Sequence, residues 1–154
     1  MGSSTYARQV DNSENYEEEV YLSFRYQGVV DEIIVAIVKD GEFYLPITNL
    51  FDLFAINYEL SHEEFSVSGY YLFKNNPYNI DFSRFEVSAN DSVYVLEAKD
   101  FLLSGAEFYI KPVLFDKYFD LQFSVDLSRL VLRLKTSQVL PIIFRYDNRQ
   151  NQVK

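Results

Sequence analysis

The sequence predicts an α+β protein, strand-rich, with mainly antiparallel sheets and short helices arranged as two β-β-α-β-β-like repeats. Three observations lead there. First, "EFYLPITNLFDLF" at residues 42–54 returns as "EFYIKPVLFDKYF" at residues 107–119. Glu42-Phe43-Tyr44 aligns with Glu107-Phe108-Tyr109 at an offset of 65, and Leu50-Phe51-Asp52 with Leu114-Phe115-Asp116 at an offset of 64, so one deletion reconciles the copies. Two units are too few for a solenoid, which points to a duplicated supersecondary unit closing on itself. Second, 13 Tyr and 14 Phe, with abundant Val and Ile, favour pleated, half-buried surfaces. Third, apolar residues alternate over short stretches separated by turn signals.

The elements follow in order. Val20, Leu22, Phe24 and Tyr26 alternate with Tyr21, Ser23 and Arg25, a strand with one apolar face that Gln27-Gly28 closes. Ile33 to Val38 is continuous and β-branched, as in a strand covered on both faces. Asp40-Gly41 makes a tight turn into an antiparallel partner at Glu42 to Leu45. From Pro46 the period changes: Ile47, Leu50, Phe51 and Phe54 form one helical stripe, with Thr48 placed to cap and Asp52 near the positive end of the dipole. Ile56, Tyr58 and Leu60 alternate again, Ser61 to Glu64 reads as a turn, and Phe65 to Phe73 as a strand. Gly69 inside that strand marks a bulge or a close backbone approach.

The second copy reads as a strand at Ser92 to Leu96, a helical turn near Glu97 to Leu103, and a turn at Ser104-Gly105. It continues with a strand at Glu107 to Ile110, a helix near Val113 to Phe119, and strands at Leu121 to Val125 and Leu130 to Leu134. The expected organisation is therefore a first lobe over 19–73 and a second over 92–146. Joining them is a connector over 74–91, whose turn signals flank an edge strand at Ile80 to Val87. Residues 1–18 read as a leader or linker, polar and acidic after an added "MGSS", and 147–154 as a flexible tail.

Length and charge bound the function. With 154 residues the chain suits one domain or two small lobes sharing an interface, burying roughly 70% of its unfolded surface. A formal charge of −9 with scattered basic residues leaves no footprint for nucleic acid or anionic membranes. No run of 18 apolar residues occurs, and no signal-peptide plan is visible near the start, so an export signal is expected to have been removed.

No constellation carries catalytic chemistry. The chain has no cysteine, and His62 is the only histidine, which excludes disulfides, thiolate nucleophiles, His-based metal clusters and Ser-His-Asp triads within it. Glu17-Glu18-Glu19 and Glu63-Glu64 are adjacent carboxylates, which point apart on a strand and are solvated in a loop. Asp31-Glu32, Asp81 and Asp91 lack the spacing of a calcium loop, and five glycines build no phosphate cradle. The expectation is a non-enzyme without metal or cofactor. The positive signal is aromatic: Tyr70, Tyr71, Phe73 and Tyr78 cluster around a turn, either filling the seam between lobes or anchoring a partner.

The run "YLPITNLFDLFAI", then "VSGYY", "NIDFSRFEV" and "DSVYVLEAKDFLLSGAEFYIKPVLFDKYFDLQFSVDLSRLVLRLKTSQVLPI" resembles the N-terminal periplasmic region of large usher-like outer-membrane proteins. Leu140-Pro141 and the basic stretch from Arg145 to Arg149 answer to that region's closing "LP" and basic residues. Each repeat is also similar to the copper amine oxidase N-terminal-like domain of bacterial envelope proteins; neither likeness carries over a catalytic residue or implies copper. The resemblance implies a periplasmic accessory domain of an outer-membrane protein that binds or orients a secreted substrate or protein partner, by strand addition to an open sheet edge. The edge expected is Ile80 to Val87, with Tyr70, Tyr71, Phe73 and Tyr78 beside it. The rival expectation is a glycan- or peptidoglycan-binding envelope module that uses the same tyrosines as stacking platforms.

Overall fold

The computed structural model describes residues 17–146, and the leader and tail expectations for 1–16 and 147–154 lie outside them. Twelve strands form two sheets, with two short helices packed among them. The strands are β1 Glu18–Tyr26, β2 Val30–Lys39, β3 Glu42–Pro46, β4 Glu59–Ser61, β5 Ser66–Tyr70 and β6 Pro77–Asp81, followed by β7 Glu86–Ala89, β8 Ser92–Val95, β9 Phe101–Ser104, β10 Glu107–Ile110, β11 Gln122–Asp126 and β12 Val131–Lys135. Helix α1 spans Ile47–Phe54 and α2 spans Pro112–Phe119; residues 141–146 are also helical. A seven-stranded sheet runs β11-β12-β1-β2-β3-β10-β9, and a five-stranded meander runs β4-β5-β6-β7-β8. Every pairing is antiparallel except β1 with β12.

Each helix lies between two hairpins, and the hairpins after them part company: β4-β5 joins the five-stranded sheet and β11-β12 the seven-stranded one. The seven-stranded sheet thus takes strands from both halves of the chain, and one continuous apolar core fills the interior rather than one core per lobe. The halves pair at two places, β1 with β12 and β3 with β10, the second setting Leu45 opposite Ile110. Burial explains the arrangement. A helix of eight residues is not stable alone, and α1 is held by Phe54 against Phe24 of the large sheet and by Phe51 against Tyr78 of the small one.

The N-terminus of α1 departs from the expected cap. Pro46 occupies the cap position and offers no side-chain acceptor. Glu107, at the start of β10, supplies it: its carboxylate accepts from the Thr48 N–H at 3.2 Å, the Thr48 hydroxyl at 2.7 Å and the Asn49 N–H at 3.0 Å. Thr48 is therefore a donor to the cap rather than the cap itself, and an anion sits at the positive end of the helix dipole. Asp52 does not occupy that end; it lies in the last turn and accepts from the Tyr58 hydroxyl at 2.9 Å. Glu107→Ala is expected to lower stability by about 1–3 kcal/mol, with Glu107→Gln losing less, as urea midpoints will show.

Three four-residue turns share one design. Ser61, Asp81 and Asp126 end β4, β6 and β11, and the turns finish on Phe65, Phe85 and Leu130, all in the left-handed region at φ 51, 57 and 53. Each of those three carbonyls accepts a backbone N–H, from Phe82 just past β6 at 2.9 Å, Leu96 just past β8 at 2.8 Å and Ser23 of β1 at 2.8 Å, so pairing continues into the turn. Asp81 accepts from the Ser83 N–H and hydroxyl and the Arg84 N–H; Asp126 accepts from the Ser128 hydroxyl and the Arg129 N–H. This turn divides the expected Ile80–Val87 edge strand into β6 and β7, both interior to the meander with a neighbour on each side.

The Ser83 and Ser128 hydroxyl bonds, with the backbone N–H groups and nearby arginines, hold both carboxylates below their usual range. Carboxylates with native pKa values lower than their unfolded ones stabilise the fold above the unfolded value, near 3.9, and that contribution disappears as pH falls through the native values. Asp81→Asn and Asp126→Asn are therefore expected to flatten the loss of thermal stability below about pH 4 relative to the parent, read by melting curves across the acid range.

Other expectations are corrected locally. The strand placed at Phe65 to Phe73 is confined to β5, and the helical turn near Glu97 to Leu103 is one 3₁₀ turn at Ala98–Asp100 followed by β9. Strand β2 is not covered throughout, since Ile33 is 58% exposed while Ile37 is buried. Glu18 opens β1 instead of belonging to a linker. Within the core, the Tyr118 hydroxyl is buried without a hydrogen-bond partner among the described residues, and burial, aided by Asp100 and Tyr94, pushes its pKa up to about 12. Tyr118→Phe removes an unsatisfied group and is expected to leave stability unchanged or raise it by about 1 kcal/mol in urea titrations.

Candidate partner-binding surface

The four aromatic residues singled out by the sequence separate into two classes. Tyr71 and Tyr78 are buried, and each hydroxyl is spent on a backbone carbonyl: Tyr71 donates to Phe119 at 2.7 Å and Tyr78 to Asn57 at 2.8 Å. Burial drives both phenol pKa values far above the ordinary range. Their rings pack on Phe119, and only a few per cent of either residue reaches the surface. Phe73 is 67% exposed, and Tyr70 is half-buried at the end of β5.

The turn carrying Phe73 is strained. The Phe73 N–H donates to the Tyr71 carbonyl at 2.8 Å across Leu72, which has φ 67, a γ-turn of the form that side chains disfavour. Buried Tyr71 fixes one side, and Asn76 fixes the other, its N–H donating to Phe73 and its amide to the Tyr71 carbonyl. Anchored so, the turn holds Phe73 outward beside a small depression of about 110 Å³ between this turn and the end of α2.

On the other side of Tyr70 lies a larger cleft of about 460 Å³, lined by Asp52, Asn57, Tyr58, Tyr70 and Arg145 together with the end of α1. Asn57 is locked from two directions, through Tyr78 on its carbonyl and through the Tyr70 N–H on its side-chain oxygen at 3.2 Å. Gly69 permits that approach: a Cβ there meets the Asn57 carbonyl and side-chain oxygens at 2.6 Å. The Tyr58 pKa is raised, first by burial and then by its bond to Asp52.

Among the described residues the sheets end on four edge strands, β4, β8, β9 and β11, and β8 exposes the most apolar surface, at Val93 and Val95. Only β7 pairs with it among the described residues, and its sequence, Ser-Val-Tyr-Val, has no charge and no proline. Natural edges are usually blunted by such residues. The Leu96 N–H points to β7, donating to Phe85, so by strand alternation the N–H and C=O groups of Val95 and Val93 point to the open side. Both side chains are exposed, at 76% and 71%, whereas Tyr94 turns inward onto Tyr118. A depression of about 320 Å³, lined in part by Asn79, Ser88 and Val93, opens beside the start of this strand.

The residues of the Ser92 to Leu96 strand carry no sign that it is an edge, and the only local pointer to Asn57 is Gly69, whose missing Cβ admits it. His62 makes a structural contact, its Nε2 lying 3.0 Å from the Ala106 carbonyl. Among the described residues, no three His, Cys, Asp or Glu side chains are grouped to hold a metal ion, and no helix is long and apolar enough to cross a membrane. Comparison with family models, curated proteins and solved structures finds no match.

Proposed function

We propose that this chain is a non-catalytic recognition module of the bacterial envelope, a periplasmic accessory domain of an usher-like outer-membrane protein, and that it holds a secreted protein partner by accepting a strand at β8. The observation that carries the reading is the β8 edge, where Val93 and Val95 combine outward-facing backbone groups with exposed apolar side chains. Main-chain bonds give such a contact its affinity, and the depression near Val93 gives a place for an alternate side chain of the guest. The envelope setting rests on the resemblance of residues 19–149 to the usher-like region. In the same reading the two strand–strand–helix–strand–strand segments are copies of one unit, supported by the shared offset of 65 at Leu45 and Ile110 and at the left-handed helix caps Ala55 and Asp120.

The test is affinity capture from a bacterial envelope extract with the parent chain and a Val95→Pro variant. Proline at this position removes one outward N–H and leaves the ladder to β7 intact, so the variant is expected to melt like the parent. Loss of a protein that the parent retains supports strand addition. Retention of the same proteins by both, or of polysaccharide alone, sinks it.

A further inference from the structure

We propose that the cleft between the end of α1 and Tyr70 is a binding site for a neutral pyranose unit of a glycan, separate from the β8 edge. Its volume of about 460 Å³ lies in the roughly 300–1,000 Å³ range of small-ligand sites. What selects the ligand is the set of groups that converge there. Tyr70 and Tyr58 contribute aromatic rings suited to the C–H face of a sugar. Around them stand three planar polar groups of different kinds: the Asp52 carboxylate, the Asn57 amide and the Arg145 guanidinium. Sugar hydroxyls both donate and accept, so a rim offering acceptors and donors side by side matches them.

The rim is preorganised. The Asn57 side-chain oxygen takes the Tyr70 N–H, which turns the two amide hydrogens to other acceptors, and its backbone is clamped by Tyr78. Gly69 exists in a form that only the absence of Cβ allows, because Asn57 lies against it. Asp52 has one oxygen committed to Tyr58, at 2.9 Å, and the second remains for a ligand. Groups held this way lose little freedom on binding.

Other ligand classes fit less well. One carboxylate is too few for a divalent cation. An anionic ligand meets Asp52, the negative end of the α1 dipole and a chain charge of −9, against the single Arg145. A peptide strand needs a run of free backbone groups, and the cleft walls are the end of a helix and the paired strand β5.

The experiment is an NMR titration of the full chain with three soluble probes, cellohexaose, maltohexaose and the N-acetylglucosamine trimer, which separate glucan from amino-sugar sources. Saturable shifts centred on the Asn57 and Tyr70 amides are expected with at least one probe. Asp52→Asn and Arg145→Met are each expected to weaken binding about tenfold, and Val95→Pro to leave it unchanged. Arg145 is exposed, so its variant keeps the test valid even if Asp52→Asn disturbs Tyr58. Absence of saturable binding to all three probes, shifts centred elsewhere, or unchanged affinity in both variants overturns the proposal.

Discussion

Phe119→Ala is expected to cost about 3–5 kcal/mol, the largest loss of any single truncation considered for this chain. Phe119 is 1% exposed and lies where helices and small sheet converge. Its ring meets Phe51 of α1 at 5.3 Å and 82°, Tyr78 of β6 at 5.3 Å and 83°, and Tyr71 at 4.9 Å. Edge-to-face pairs add to simple area burial, and all of these are lost at once. The neighbours cannot close the gap, because the Tyr71 and Tyr78 hydroxyls are tied to the backbone of Phe119 and Asn57. Against a total stability on the order of 5–15 kcal/mol for a domain of this kind, the change removes a large share. Urea unfolding measures it, with Phe73→Ala at the exposed turn as control, expected within about 0.5 kcal/mol of the parent. A Phe119→Ala loss no larger than the control's contradicts the shared core.

Gly69→Ala is expected to cost about 1–3 kcal/mol despite adding only a methyl group to a strand. The added Cβ meets two Asn57 oxygens at 2.6 Å, and one is a backbone carbonyl that Tyr78 holds in place. Relief demands that the segment after α1 move, which weakens the Tyr70 N–H bond to the Asn57 side chain as well. The urea midpoint should fall, and amide shifts should concentrate at residues 56–58 and 69–71. An alanine variant as stable as the parent places Asn57 farther from β5 than the structure does.

Much of the local structure was legible in particular residues. Asp40-Gly41 gave the β2-β3 hairpin, and the stripe Ile47, Leu50, Phe51, Phe54 gave α1, every member of it buried. Leu114 and Phe115 of the repeated block are buried in α2, as Leu50 and Phe51 are in α1. Gly69 announced its close approach. The cap on α1 was not legible, because Glu107 reaches Thr48 only once β3 and β10 pair, 59 residues apart. Nor was the fate of Ile80 to Val87: an apolar alternation interrupted by Asp-Phe-Ser-Arg looks like one strand until the Asp81 carboxylate is seen to organise a turn.

The site was less legible than the fold. Tyr70, Tyr71, Phe73 and Tyr78 look alike in the sequence, since an aromatic ring serves a core and a surface alike. Phe119 and Asn57 decide otherwise, drawing two of the rings inward and leaving Tyr70 and Phe73 at the surface. Val93 and Val95 look like ordinary strand residues, and only the position of β8 at the end of the meander exposes them.

The amino-acid order alone therefore determined what depends on neighbours within a few positions: strand alternation, the apolar stripe of α1 and the Asp-Gly turn. The tertiary structure decided which hairpin joined which sheet, which strands became edges and which aromatic rings met solvent. Alternation along a strand marks an inward and an outward face but not the identity of the neighbour, which is settled by packing between segments dozens of residues apart.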